Sequence, residues 1–305
     1  VKAYYQPNPR IRPPVVLGHE FVGHLLEKGE GVDSFAPGER VTLATTIGCG
    51  SCWLCLRGHS NLCPSKRCVG TDLDGAFAEI VALPAEAVAR GNLLKVPEPV
   101  EDDGAAISEP LACVINALEL AGLSPGETVA VIGAGPMGLL HLEAARALGA
   151  ARRIVIQRSR ARLEFARRFA DLALSSEQDV EAEVRAFTRG RGADVVVVTA
   201  PSAEAQEAAL RLLAPRGRLS LFAGAPKEKA LIRLDSRFIH YNEIKVCGAS
   251  DSTPRHHRLA LDLLAAGKVK AAPLITHRFP LQEIVAAIEL ARRGESLKVA
   301  IEIGP

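Results

Sequence analysis

The hydrophobic pattern is sharpest in the middle of the chain, where short apolar blocks alternate with stretches of helical periodicity. Residues 126–132, GETVAVI, have the pattern of a short buried strand. They run directly into Gly133-Ala134-Gly135-Pro136-Met137-Gly138 and then into LLHLEAARALGA, whose apolar positions recur with the period of a helix. The alternation continues as strand 153–156, helix 160–169, strand 194–199, helix 203–213 and strand 218–223, with 243–248 as the last strand. Strands that alternate with helices in this way predict an α/β fold with a doubly wound parallel sheet. Nearer the N-terminus, residues 15–23, VVLGHEFVG, predict an apolar strand that ends in the pair His19-Glu20.

A chain of 305 residues is long enough for two domains. With 48% hydrophobic and 24% charged residues it has the composition of a folded globular protein, which excludes a disordered or low-complexity chain. Lys and Arg number 37 against 35 Asp and Glu, and no run of like charge reaches the length of an interaction tail, so nucleic acid is not an expected partner. The uncharged stretch 128–142 is shorter than the ~20 apolar residues of a membrane span and is broken by glycines and a proline, so no membrane association is expected. Residues 1–14 hold no basic-then-apolar leader, which makes the cytoplasm the expected compartment.

The glycines carry the first chemical signal, because they sit between a strand and a helix. There Gly133 permits the tight turn, Gly135 lets backbone approach a pyrophosphate, and Gly138 lets the helix pack on the strand, with Pro136 and Met137 completing the loop at the helix N-terminus. About 20 residues further on, a domain that prefers NAD carries an acid for the ribose hydroxyls. This chain has Gln157-Arg158-Ser159-Arg160 there instead. Two guanidiniums and a hydroxyl suit a 2′-phosphate, so NADP is favoured over NAD, while Arg152, Arg153 and Arg162 read as solvated residues.

Four cysteines follow a second pattern, C-x2-C-x2-C-x7-C, at Cys49, Cys52, Cys55 and Cys63. Thiolates so spaced converge on one centre and close a tetrahedron, which predicts a structural zinc site with no open position for chemistry. Cys68, Cys113 and Cys247 read as small buried hydrophobes. His19-Glu20 could place a metal ligand and its neighbour, though the pair alone is a weak signal. The other histidines have no comparable partner spacing.

With these features in this order, the chain resembles the zinc-containing medium-chain alcohol dehydrogenase family, in its polyol (sorbitol/L-iditol) and threonine dehydrogenase-like branch. GHEFVG at 18–23 and GERV at 38–41 resemble the family's zinc-ligand strand and the turn after it, and CGSCWLCLRGHSNLC its structural-zinc lobe. DGAFAEIVALP at 74–84 resembles the strand that re-enters the catalytic domain, SEPLACVINAL at 108–118 the crossover helix, and residues 274–302 the closing segment. The resemblance implies a GroES-like, β-rich catalytic domain built from both chain ends, 1–110 and 251–305, around a Rossmann dinucleotide-binding domain at 111–250. It implies that His19 is a catalytic zinc ligand, that Glu20 is the acid that binds or exchanges on the metal, and that Glu109 replaces a second cysteine as ligand or holds the metal's water. It further implies hydride transfer between an alcohol or polyol and NAD(P), and a homodimer or homotetramer paired through the edge of the Rossmann sheet. The family's first zinc ligand is a cysteine upstream of Gly18-His19-Glu20, with a hydroxyl residue nearby that starts the proton relay. Val1-Lys2-Ala3-Tyr4-Tyr5 resembles the segment just after that cysteine, so the expectation is a chain truncated at its N-terminus, with an incomplete catalytic site and an unpaired sheet edge. Two other readings are a zinc-free quinone or enoyl reductase, against which the Cys quartet and His19-Glu20 argue, and a non-catalytic dinucleotide-binding protein that keeps only a structural zinc.

Overall fold

A computed structural model describes residues 11, 13–225, 228 and 230–304. They form two compact units, one from residues 1–112 and 251–305 and the other from 113–250.

The second unit holds six strands, Thr128–Ile132, Arg152–Gln157, Leu172–Ser175, Ala193–Val198, Leu213–Leu221 and Lys245–Gly248, with β-branched runs in Thr128–Ile132, Arg152–Gln157 and Ala193–Val198. All pair in parallel. Their spatial order runs Lys245–Gly248, Leu213–Leu221, Ala193–Val198, Thr128–Ile132, Arg152–Gln157, Leu172–Ser175, which is the Rossmann order. Val129–Val131 and Val195–Val198 are fully buried, as expected for strands covered on both faces. Chain order reverses between Thr128–Ile132 and Ala193–Val198, so a crevice opens beyond their C-terminal ends, where Gly133 and Thr199 lie. The predicted helices 160–169 and 203–213 each end in a single 3-10 turn, Arg167–Phe169 and Leu210–Leu212, and the next strand begins at Leu213 rather than at 218. That strand changes register between Leu213 and Arg218, around Pro215 and Gly217, which hides its first half from an alternation pattern.

In the first unit, Val22–His24, Arg40–Leu43 and Leu93–Lys95 form an antiparallel sheet whose buried side chains, Val41, Leu43 and Leu93, pack with Phe35, Ile47 and Val69. Thr46–Ile47 pairs with Arg67–Cys68, and the closing segment contributes the parallel pair Ile275–Pro280 and Lys298–Glu302. Helix Asp102–Leu120 leads out of this unit and carries Glu109 and, inside the helix, Pro110.

Two expectations need correction here. Residues 74–84 hold no strand, and the apolar run 15–23 is a strand only at Val22–His24, after His19-Glu20 and not before it. The cause is a glycine contact. Gly18 has φ +99°, which breaks the extended run, and the chain around it folds against 75–77 through irregular bonds: Gly75 N–H to Val16 O at 2.7 Å, Ala76 N–H to Gly18 O and Phe77 N–H to Leu17 O, both at 3.0 Å. A Cβ on Gly70 would stand 2.5 Å from the Gly18 carbonyl oxygen, and one on Gly75 would overlap it. The two backbones touch because none of the three residues has a side chain. The expected missing strands and first cysteine ligand lie outside the described residues. No described helix is long and apolar enough to cross a membrane.

Candidate metal centres and dinucleotide site

The cysteine lobe is shaped by local turns. Helix Trp53–Leu56 starts at Cys52, whose sulfur accepts the Cys55 N–H at 3.5 Å, while Cys49 Sγ accepts the Cys52 N–H and Cys63 Sγ the Cys49 N–H, each at 3.3 Å. The backbone N–H groups of Ser51 and Cys52 hold the Cys49 thiol down at about 6, whereas burial, reinforced by the neighbouring sulfurs, pushes Cys55 up to about 12. The four sulfurs lie within 4.8 Å of one another, and those of Cys52 and Cys63 are 3.8 Å apart. A tetrahedron with zinc–sulfur bonds of ~2.3 Å has edges of about 3.8 Å. All four cysteines are free, so the set fits zinc.

The second cluster joins segments far apart in sequence. His19 stands on the loop held by the Gly18–Gly70–Gly75 contact, and Glu109 on helix Asp102–Leu120. One ligand atom each from His19, Glu20 and Glu109 falls within 4.8 Å of the others. His19 and Glu20 are exposed and Glu109 is half-buried, so the group opens to solvent. Desolvation pushes the Glu109 carboxyl up to about 7, with Glu20 adding to the rise and His19 opposing it. Desolvation acts on Glu20 in the same direction, but the facing Lys298 ammonium and His19 together outweigh it and hold that carboxylate below its ordinary range. Lys298, on strand Lys298–Glu302, bonds Glu20 directly and was not found by sequence reasoning, since a lysine in a C-terminal strand carries no local signal. One imidazole nitrogen and two carboxylate oxygens are donors that zinc accepts.

At the glycine turn, Gly133 has φ +109° and Gly135 is the N-cap of helix Pro136–Ala147. A Cβ on Gly138 would overlap the Gly133 carbonyl oxygen and lie 3.2 Å from Thr199 Oγ1, so the helix can approach the strand only without that side chain. Thr199 Oγ1 donates to the carbonyls of Ile132 and Gly133 at 3.0 and 3.1 Å, which fastens the turn to the neighbouring strand. No side chain caps the helix, and Pro136 at its first position leaves the N–H groups of Met137 and Gly138 to face an anion. The surface over Gly135 would admit a Cβ with nothing nearer than Arg162 Nη1 at 4.0 Å, an open cradle of the kind a pyrophosphate occupies. Gln157 Oε1 accepts the N–H of Arg158 at 2.7 Å and of Ser159 at 3.3 Å, and Ser159 Oγ caps helix Arg160–Ala166. Arg158, Ser159 and Arg160 are exposed. Arg162, read from sequence as solvated, is half-buried with its guanidinium beside the glycine turn. A helix phase that turns it inward is the signal that could have found it.

Comparison with known proteins finds two matching family domains. The alcohol dehydrogenase GroES-like domain matches residues 1–97 and the zinc-binding dehydrogenase domain residues 136–266. The chain is 34% identical over 295 residues to L-threonine 3-dehydrogenase of Bacillus licheniformis, covering 96% of this chain and 83% of that one. It is 34% identical over 304 residues to sorbitol dehydrogenase of Halalkalibacterium halodurans, covering 97% and 86%. A Sinorhizobium meliloti protein assigned as a zinc-binding dehydrogenase and solved with NADP superposes with a TM-score of 0.86 at 33% identity, over 95% of this chain and 84% of that one. The chain belongs to the zinc-binding medium-chain alcohol dehydrogenase family, in its polyol and threonine dehydrogenase branch.

Proposed function

We propose that His19, Glu20 and Glu109 hold a catalytic zinc ion, that Cys49, Cys52, Cys55 and Cys63 hold a structural one, and that the 133–138 turn binds the dinucleotide, with NADP preferred over NAD. The chain is an oxidoreductase of the alcohol and polyol dehydrogenase type. The observation that carries the site reading is the convergence of His19, Glu20 and Glu109 from separate segments to within 4.8 Å at a position open to solvent. When bound, zinc supplies a Lewis acid to the substrate oxygen and the nicotinamide exchanges a hydride with the carbon that bears it.

The chain's own residues bind and orient. His19 offers a ring nitrogen, Glu109 a carboxylate oxygen, and Glu20 a carboxylate kept charged by Lys298. Met137 and Gly138 present backbone N–H groups to the dinucleotide phosphates. Arg158 and Arg160, exposed after strand Arg152–Gln157, would pair with a 2′-phosphate by charge-assisted bonds, which supports NADP as the preferred cofactor. Residues 1–110 and 251–305 carry the metal chemistry in this reading and 111–250 the dinucleotide. The relatives are named for threonine and sorbitol, which supports a small polar alcohol or polyol as the substrate. Strand Lys245–Gly248 at the sheet edge, with Val246 40% exposed, is the surface for pairing into a homodimer or homotetramer. The lobe cysteines Cys49, Cys52, Cys55 and Cys63, none of them in a disulfide, suit the reducing cytoplasm.

The test is reduction of NADP and NAD by a panel of polyols and hydroxy amino acids, before and after chelation. Alcohol-dependent reduction that favours NADP, stops on chelation and is absent in His19→Ala is expected. A zinc-loaded chain that reduces neither cofactor with any alcohol contradicts the reading.

A further inference from the structure

Directly before Glu109 on helix Asp102–Leu120, Ser108 is fully buried, and so is His257 on helix Pro254–Ala265. Ser108 Oγ lies 2.6 Å from His257 Nε2 and 2.5 Å from the carbonyl oxygen of Ala105. A carbonyl can only accept, so the single hydroxyl hydrogen of Ser108 goes to Ala105, and His257 must donate its Nε2–H to Ser108 Oγ. The direction of both bonds is thereby set, and His257 Nδ1 is left as a buried lone pair with no hydrogen-bond partner. Burial holds His257 down at about 4, so the ring stays neutral in this tautomer.

The bond reaches a weak point of the helix. Pro110 has no N–H for the carbonyl of Ala106, and its ring crowds that carbonyl, so the backbone ladder alone does not set the rotation of the turn from 105 to 110. The back-bond from Ser108 to Ala105 bends the same turn. Glu109 projects from this turn toward His19 and Glu20.

We propose that His257 is a positioning residue for the metal centre: by donating Nε2–H to Ser108 Oγ it fixes the helical turn that presents the Glu109 carboxylate to His19 and Glu20. The inference rests on the reading of those three residues as metal ligands. Partners that orient a ligand change metal affinity by about 10–100-fold when removed.

Cobalt(II) is the probe, because the ligand-field bands of a nitrogen and oxygen site are separable from the thiolate charge-transfer bands of the cysteine site. His257→Leu keeps the volume and removes the donor; His257→Gln restores a donor at nearly the same place. The expected result is cobalt affinity of the His19 site lowered about 10–100-fold in His257→Leu, with altered ligand-field bands, unchanged thiolate bands, and recovery in His257→Gln. If Leu at 257 prevents folding, Ser108→Ala cuts the same bond with a good helix former and should give the same loss. Wild-type affinity and spectrum in the folded variant that lacks the bond overturn the inference alone. A wild-type chain that shows thiolate bands only overturns the metal reading and the inference with it.

Discussion

His141, in the helix after the glycine turn, gives a stability test that is independent of metal. Its ring is fully buried, Nδ1 donates to the Met137 carbonyl at 2.7 Å, and Nε2 has no partner. Phe222 meets the ring edge-on at 4.6 Å between centroids. A proton added at Nε2 would be a buried charge with nothing to bond, so burial lowers this histidine from 6.5 to about 4, against the smaller opposing pull of the Met137 carbonyl. In the window between those values the unfolded chain takes up a proton that the folded chain refuses, so stability falls as pH falls through it. The full loss below the folded value is about 3 kcal/mol, of which about 2 kcal/mol is gone near pH 5. In His141→Leu the proton-linked loss disappears, at the cost of one hydrogen bond worth ~1 kcal/mol. Urea unfolding followed by circular dichroism should find wild type the more stable near pH 8 and the Leu variant the more stable near pH 5. Acid loss of zinc affects both proteins alike and drops out of the difference. A wild-type minus variant difference that is the same at both pH values refutes the reasoning.

Four other outcomes are expected. Gly138→Ala forces helix Pro136–Ala147 off the Gly133 carbonyl, so stability should fall by about 3 kcal/mol with loss of dinucleotide binding; wild-type melting and binding would contradict the close approach. Lys298→Met frees Glu20 for the metal, and chelator competition should show zinc held on the order of tenfold more tightly at the His19 site, a gain limited by solvent at a glutamate side chain that is 32% exposed. Unchanged affinity there means Lys298 does not compete with the metal. Gln157→Asp combined with Arg158→Ala should shift cofactor preference toward NAD, and an unchanged NADP Kd would sink the loop argument. Cys63→Ser opens the tetrahedron and should expose the 49–63 loop to protease, whereas protection equal to wild type argues against a metal in the lobe.

What could be read from the sequence was what neighbouring residues determine. The strands around Val131 and Val196, the turn at Gly133–Gly138 and the Cys49–Cys63 quartet each depend on spacing within one short stretch, and the structure places those elements as the pattern predicts. The segments 15–23 and 74–84 have strand-like composition, yet Gly18, Gly70 and Gly75 bring their backbones into direct contact and replace a ladder with a loop that presents His19. Lys298 reaches Glu20 across 278 positions of the chain, and His257 reaches Ser108 across 149. No local period encodes such pairs. The convergence of Glu109 with His19 entered the sequence reading only through family resemblance, since nothing near either residue signals the other.

The central claim is that the chain carries two separate metal sites of different chemistry, and zinc per chain in wild type, His19→Ala and Cys63→Ser tests it most directly. The account predicts two zinc ions in wild type and one in each variant, with His19→Ala keeping its fold while losing alcohol-dependent reduction of the nicotinamide cofactor. A single zinc in wild type that His19→Ala retains and Cys63→Ser loses would contradict it, and would leave the cysteine lobe as the only metal site.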